Sequence, residues 1–270
     1  MPILAAALVP NLTLLVPNVA QDQLLTYSQT VSAYQDLARH LKDQQVETVV
    51  IISSRGITAP TGLAINLHPE FKISFEAFGD LATELSAYNN FALIDHLKQG
   101  LGTEFPLSML SLAELDYGSA VPLVYFLDQI PKLKVVTIYP SAQGLYTQSE
   151  LGAQISAIIH AHPSRTALIA SSNLSSRLAD SPLGYLAPAR GHDKQIINGF
   201  ETDDYRFLHN FPAEDINTYY EQGLSAIAMF SGAINRFHKT VKLASYEHPQ
   251  GLGAAIIRVD LGLSWLFRLW

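Results

Sequence analysis

The feature that most constrains this sequence is the alternation of short apolar runs with longer amphipathic ones. Ile3–Val9 reads as a buried strand that stops at Pro10, and Val46–Ser53 as a second that ends in Ser53-Ser54-Arg55-Gly56. Between them, Gln21–Asp43 places Leu24, Leu25, Val31, Tyr34, Leu37, Ala38 and Leu41 at helical spacing. Leu133–Tyr139 and Thr166–Ser171 repeat the strand pattern around a helix over Glu150–His162. A run that is apolar at every position has no polar side to offer water, so it needs cover on both faces, as parallel strands joined by helices have. The pattern predicts an α/β fold: a single domain over residues 1–270 with a central, mostly parallel sheet flanked by helices on both faces. Antiparallel strands are expected near the C-terminus, at Val241–Tyr246 and Ala254–Val259. A further strand is expected at Lys72–Phe78, with helices at Leu81–Gly100 and Pro122–Gln129 and within Asp193–His209 and Ala213–Phe237.

Composition narrows the function classes. A hydrophobic content of 48% supplies a large core, and a net charge of −7 without any basic block excludes an electrostatic footprint for nucleic acid. The apolar runs are strand-length, short of a bilayer span, and no basic segment precedes the first of them, so neither a membrane anchor nor a signal peptide is expected. A cytoplasmic protein is the expectation. The absence of cysteine rules out disulfides and thiolate metal sites, which leaves His, Asp and Glu as metal ligands. The tail Leu263–Trp270 is apolar enough that it should pack on the body of the protein or on a second copy, as in a homo-oligomer.

In open α/β sheets, ligands bind outside the carboxyl ends of the strands. The loops to inspect follow the buried runs: Val9-Pro10-Asn11-Leu12, Ser53-Ser54-Arg55-Gly56, Tyr139-Pro140-Ser141-Ala142 and Ser171-Ser172-Asn173-Leu174-Ser175-Ser176-Arg177. Leu115-Asp116-Tyr117-Gly118-Ser119 lies at a helix start, with Ser119 placed to cap it. Short polar loops of this kind suit a ligand pocket and suit ordinary strand-to-helix turns equally.

These same segments resemble, in order, the motifs of the LigB-type (class III) extradiol ring-cleavage dioxygenases. Val9–Pro17 is similar to the family's Val-Pro-His-Pro-Pro-Leu-Leu-Ile-Pro, and Ile51–Gly56 to Ile-Ile-Ser-Pro-His-Gly. Leu115–Leu123 resembles Leu-Asp-His-Gly-Thr-Leu-Val-Pro-Leu, and Ala170–Leu178 resembles Ala-Ser-Gly-Asp-Leu-Ser-His-Arg-Leu. Gly184-Tyr185 with His192-Asp193-Lys194, Glu221-Gln222-Gly223-Leu224, and Ser245-Tyr246-Glu247 with Gly251-Leu252-Gly253 continue the likeness to the C-terminal end.

The resemblance implies a non-haem Fe(II) site of two histidines and one glutamate, with open positions for a catecholate and dioxygen. Carried across, the two histidines fall on Asn11 and Arg55 and the glutamate on Glu221. Asparagine offers only a neutral carbonyl oxygen, and arginine has no lone pair to give and a fixed positive charge. A guanidinium beside Fe(II) in a partly dry site costs on the order of several kcal/mol. No cofactor is expected, and Fe(II) only if the family chemistry survives. The family's acid/base histidine falls on Tyr117, and a phenol titrates near ~10 where an imidazole titrates near ~6.5. The Asp-Leu-Ser-His motif has become Asn173-Leu174-Ser175-Ser176. A buried carboxylate without its metal needs a cation, so Arg55 is expected to pair with Glu221.

The resulting expectation is a family member that has lost iron and ring cleavage and keeps a pocket, formed by Asn11, Arg55, Asn173 and Glu221, for a small aromatic or anionic ligand. Tyr117, Ser176 and His192 are the residues that could still move a proton there. Three other readings stand beside it: an enzyme of unrelated reaction type, a ring-opening dioxygenase with a rearranged metal site, and a non-catalytic partner-binding subunit. A serine hydrolase fits less well, because Ser171-Ser172-Asn173 lacks a glycine-flanked nucleophile elbow. The other histidines, His40, His96, His160 and His162, are expected on the surface.

Overall fold

A computed structural model describes residues 3–102, 105–220 and 223–265 of the chain. Ten strands form one mixed sheet: β1 (Ile3–Val9), β2 (Thr48–Ser53), β3 (Leu63–Asn66), β4 (Glu70–Phe75), β5 (Asp80–Asn89), β6 (Leu107–Leu110), β7 (Lys134–Pro140), β8 (Thr166–Ser171), β9 (Phe237–Glu247) and β10 (Ala254–Trp265). Their order is β4-β5-β7-β2-β8-β1-β10-β9, with β3 and β6 branching from β7. The central β7, β2, β8 and β1 are mutually parallel, and β10 lies between β1 and the end strand β9, antiparallel to both.

The six longer helices are α1 (Ser28–Asp43), α2 (Phe91–Leu101), α3 (Tyr117–Gln129), α4 (Leu145–Ala161), α5 (Ala189–Thr202) and α6 (Gly223–Ile234). Successive strand residues point to opposite faces, and both faces are apolar. Ala7, Val49 and Ile169 pack with Leu37 of α1 and Phe126 of α3. Leu8, Val50 and Leu168 pack on the other side with Ile155 of α4 and Ile227 of α6. The result is three layers, helix on sheet on helix. Helices α4 and α6 approach backbone to backbone: a Cβ on Gly152 would lie 1.8 Å from the Met229 carbonyl oxygen, and one on Gly232 would lie 1.9 Å from that of Ser149.

Several local expectations give way to tertiary pairing. Leu81–Gly100, expected as one helix, is β5 followed by α2. Its first half contains good helix formers, yet it pairs antiparallel with β4 over Glu70–Ile73, and the Asn90 side chain then accepts from Leu93 N at 3.2 Å to start α2. The expected helix Ala213–Phe237 is broken by a π turn at Ile216–Tyr220. Strands β3 and β6 carry no period long enough to read, and they exist because β3 pairs with β7 and β6 pairs with β3. His162 is buried against the His96 ring, at 5.2 Å, and His160 lies edge-on to Phe237 at 5.6 Å, so neither is the surface residue expected. The apolar C-terminal tail falls partly outside the described residues: its backbone to Trp265 extends β10, opposite Phe237, and 266–270 are not described.

Helix α3 begins at Tyr117, five residues before the expected Pro122, and its N-cap is Asp116. Asp116 accepts from Ser119 N at 3.0 Å and from Ser119 Oγ at 2.7 Å, so Ser119 is the capped residue and not the cap. Pro122 has no N–H to give the carbonyl four residues back, which is that of Gly118. The Ser171 hydroxyl at the end of β8 donates to that carbonyl and fills the gap. We expect Ser171→Ala, which leaves a buried acceptor unpaired, to lower unfolding free energy by about 1–3 kcal/mol in urea titrations without changing the m-value.

Candidate functional site

Strand β1 runs on to α1 on one face of the sheet, and its neighbour β8 runs on to α5 on the other. Where two adjacent parallel strands send their chains to opposite faces, a crevice opens at their carboxyl ends. A cavity of about 210 Å³ occupies this place, lined by Asn11, Leu12, Thr13, Arg55, Phe78, Tyr117, Asn173, Leu174, Ser175, Ser176, Tyr220 and Leu252. Six of the seven site residues expected from sequence fall among the described residues, and five of those six come together here. The sixth, His192, sets its ring against Tyr219 and Phe211, at 4.7 and 5.1 Å. Glu221 lies outside the described residues, and with it the expected ion pair to Arg55.

Asn11 is fully buried, and its polar atoms organise the loops. Its amide nitrogen donates to Ser54 Oγ at 3.1 Å and to the Ser171 carbonyl at 3.0 Å, which ties the ends of β1, β2 and β8 together. Its backbone N–H donates to Asn173 Oδ1 at 2.8 Å. Among the described residues, the side chain's Oδ1 has no partner. Two buried tyrosines brace the same loop from below: Tyr34 of α1 donates to the Pro10 carbonyl and Tyr125 of α3 to the Leu15 carbonyl, while their rings stack at 4.5 Å. Burial pushes the Tyr34 hydroxyl well above the usual phenol range, so it stays a donor.

Arg55 follows β2 and places its guanidinium carbon 5.6 Å from the centre of the Tyr117 ring, within cation–π range. Phe78, from the turn between β4 and β5, meets the same ring edge-on at 5.5 Å. Ser176 donates its hydroxyl to the Tyr219 carbonyl at 3.2 Å, which occupies its proton with a backbone acceptor.

The carboxylate that organises the other wall is Asp193, which sequence reasoning had noted only as the neighbour of His192. It is fully buried and accepts from Ser175 N at 2.8 Å, Tyr220 OH at 3.3 Å and Tyr246 OH at 2.9 Å. Burial raises its carboxyl to about 6, against the pull of those three hydrogen bonds. Burial, and next the charge of Asp193, push both tyrosine hydroxyls upward in turn. The sequence signal was weak: an aspartate at the start of a helix is ordinary, and only the fold brings two tyrosines and a loop N–H to it.

A mixed α/β sheet with a polar crevice at its β1/β8 switch point defines the class of protein. The family model described as the catalytic LigB subunit of aromatic ring-opening dioxygenase matches residues 6–257, so the chain belongs to the LigB family. No curated protein matches the sequence. Among solved structures, the chain is similar in fold to the uncharacterized protein JW3007 from Escherichia coli K12, with a TM-score of 0.67 and 15% identity over 94% of this chain and 99% of that one.

The residues present do not fit the iron that the family implies. At Asn11 and Arg55, where the resemblance implies the two histidine ligands, stand an amide whose nitrogen is already committed to Ser54 and Ser171, and a guanidinium set over Tyr117. Neither supplies the imidazole nitrogen that Fe(II) takes, and the second brings a like charge. Among the described residues, no three His, Asp or Glu side chains converge.

Asp193 makes a prediction about pH. Its folded-state carboxyl is raised above the 3.8 of an ordinary aspartate, so its stabilising contribution is complete below about 4 and is lost as pH rises through about 6. Wild type should therefore lose on the order of 3 kcal/mol between pH 4 and 7 relative to Asp193→Asn, read from urea midpoints of both proteins across that range.

Proposed function

We propose that this LigB-family chain no longer binds Fe(II) or opens aromatic rings, and that it uses the cavity at the β1/β8 switch point to hold a small aromatic or anionic ligand. The observation that carries this reading is Arg55: a fixed cation stands at an iron-ligand position, beside an aromatic ring, in the wall of a formed cavity. The guanidinium fork matches a carboxylate or another planar anion, and the Tyr117 ring offers a face or edge to a planar ligand. No catalytic step follows from the described groups. The Ser176 proton is given to a backbone carbonyl, and the Asp193 oxygens are taken up by Ser175, Tyr220 and Tyr246.

The test has a metal arm and a ligand arm. Protein purified anaerobically from iron-replete cells should contain far less than one iron per chain and should not consume oxygen with catecholic acids. Stoichiometric iron would overturn the proposal. Asn11→His combined with Arg55→His should gain tight Fe(II) binding, measured by anaerobic titration, because it restores imidazoles at both positions. In the ligand arm, benzoate should bind wild type with a measurable heat, and Arg55→Gln should weaken it about tenfold or more, as loss of a charge-assisted contact does.

A further inference from the structure

Phe78 is the lining residue of the cavity that comes from farthest away in the sheet. It sits on a turn, Glu76–Phe78, between β4 and β5 at the far end of the strand order. The base of this hairpin is fixed to the site. Phe71, Ile73 and Phe75 are fully buried in the core that includes α3, and Lys72 N donates to the Ala113 carbonyl at 2.7 Å. Leu115 N donates back to the Lys72 carbonyl at 3.0 Å, so β4 holds the segment that leads directly into Tyr117.

The tip is built to bend back over that segment. Lys72 pairs with Glu76 at 2.9 Å, and Gly79 takes the left-handed conformation (φ 85°) that lets the chain reverse. Nothing lies within 4 Å of where a Gly79 Cβ would sit, so the glycine answers to backbone geometry alone. Asp80 then fastens the return strand by accepting from Ala82 N at 2.9 Å and Thr83 N at 3.0 Å. The turn delivers the Phe78 ring to the Tyr117 edge at 5.5 Å, on a ring that also carries Arg55. Phe78 is still 42% exposed while it lines the cavity.

We propose that Phe78 is the specificity-determining residue of this cavity, the wall that limits its occupant to the breadth of one planar ring. The inference rests on the reading of the cavity as a ligand site. A volume of 210 Å³ is below the range of about 300–1,000 Å³ that takes drug-sized ligands. The described loops on the other side are held by hydrogen bonds, Asn11 N to Asn173 Oδ1 at 2.8 Å, Ser175 N to Asp193 at 2.8 Å and Ser176 Oγ to the Tyr219 carbonyl at 3.2 Å. Phe78 is the boundary that hangs on a three-residue turn, and trimming it opens the cavity without unpairing a strand.

The experiment is calorimetric binding of benzoate and 2-naphthoate to wild type, Phe78→Ala and Phe78→Trp, with Arg55→Gln as control. Wild type should take benzoate and discriminate against 2-naphthoate. Phe78→Ala should bind 2-naphthoate at least ~10-fold better than wild type while losing ~2- to 10-fold for benzoate, the range of one aromatic edge contact. Phe78→Trp should lower affinity for both. If benzoate binds wild type, depends on Arg55, and the preference for one ring over two is unchanged in both Phe78 variants, this inference is wrong and the ligand-site reading stands. If benzoate fails to bind wild type, or binds independently of Arg55, both fall together. Gly79→Ala, which keeps the ring and strains only the turn, should shift the preference in the same direction as Phe78→Ala; no shift there would place the boundary elsewhere.

Discussion

The central strands are buried on both faces, and most of the molecule follows from that. Apart from Lys134 at the start of β7 and the half-buried Leu4 of β1, the side chains of β7, β2, β8 and β1 are all buried, so most of their polar business falls at their ends. Their backbone groups are satisfied by one another along the ladder, and the helices above and below are there to cover apolar residues. At the carboxyl ends the ladder stops, and the loops must satisfy their own donors and acceptors. Polar side chains collect there for that reason, and a cavity opens where the chain leaves β1 and β8 in opposite directions.

What holds that cavity open is a set of buried polar groups, each tied to backbone. Asn11 joins three strand ends, Asp116 caps α3 and accepts from Ser53 at 2.5 Å, and Ser171 repairs the gap left by Pro122. Asp193 fastens the 173–176 loop to Tyr220 and Tyr246. Removing one member of such a network strands its partner in a low-dielectric interior, which costs more than the bond itself contributes. The loops are therefore rigid independently of anything bound between them. That rigidity explains how a scaffold can keep its pocket while the residues inside it change.

The changes inside are chemically of one kind. Where the resemblance implies a site for a divalent cation and its acid/base partner, this chain carries a fixed cation at Arg55, a neutral amide at Asn11 and a phenol at Tyr117. A guanidinium supplies a positive charge, where a metal site accepts one. Family membership and the chemistry of the pocket are thus separate matters. The first is carried by strand, turn and helix patterns spread over the chain, the second by a few side chains whose replacement leaves those patterns intact.

The sequence by itself determined the central strands, the closing antiparallel pair and the loops that bear the site, because fully apolar runs of strand length have one stable home in an α/β protein. It also placed Asn11, Arg55 and Asn173 just after buried runs and Tyr117 at a helix start, while the cavity that gathers these four is a product of the fold. Tertiary structure alone decided β3, β5 and β6, whose residues have no periodicity strong enough to overrule their helical or loop alternatives until a partner strand is present. It alone decided that Asp193 would be a buried carboxylate at about 6, because its desolvation comes from β9 and the 216–220 turn, distant in sequence. And it alone brought Phe78 to the cavity, since that contact depends on a hairpin at the edge of the sheet folding back across Tyr117, which no local pattern encodes.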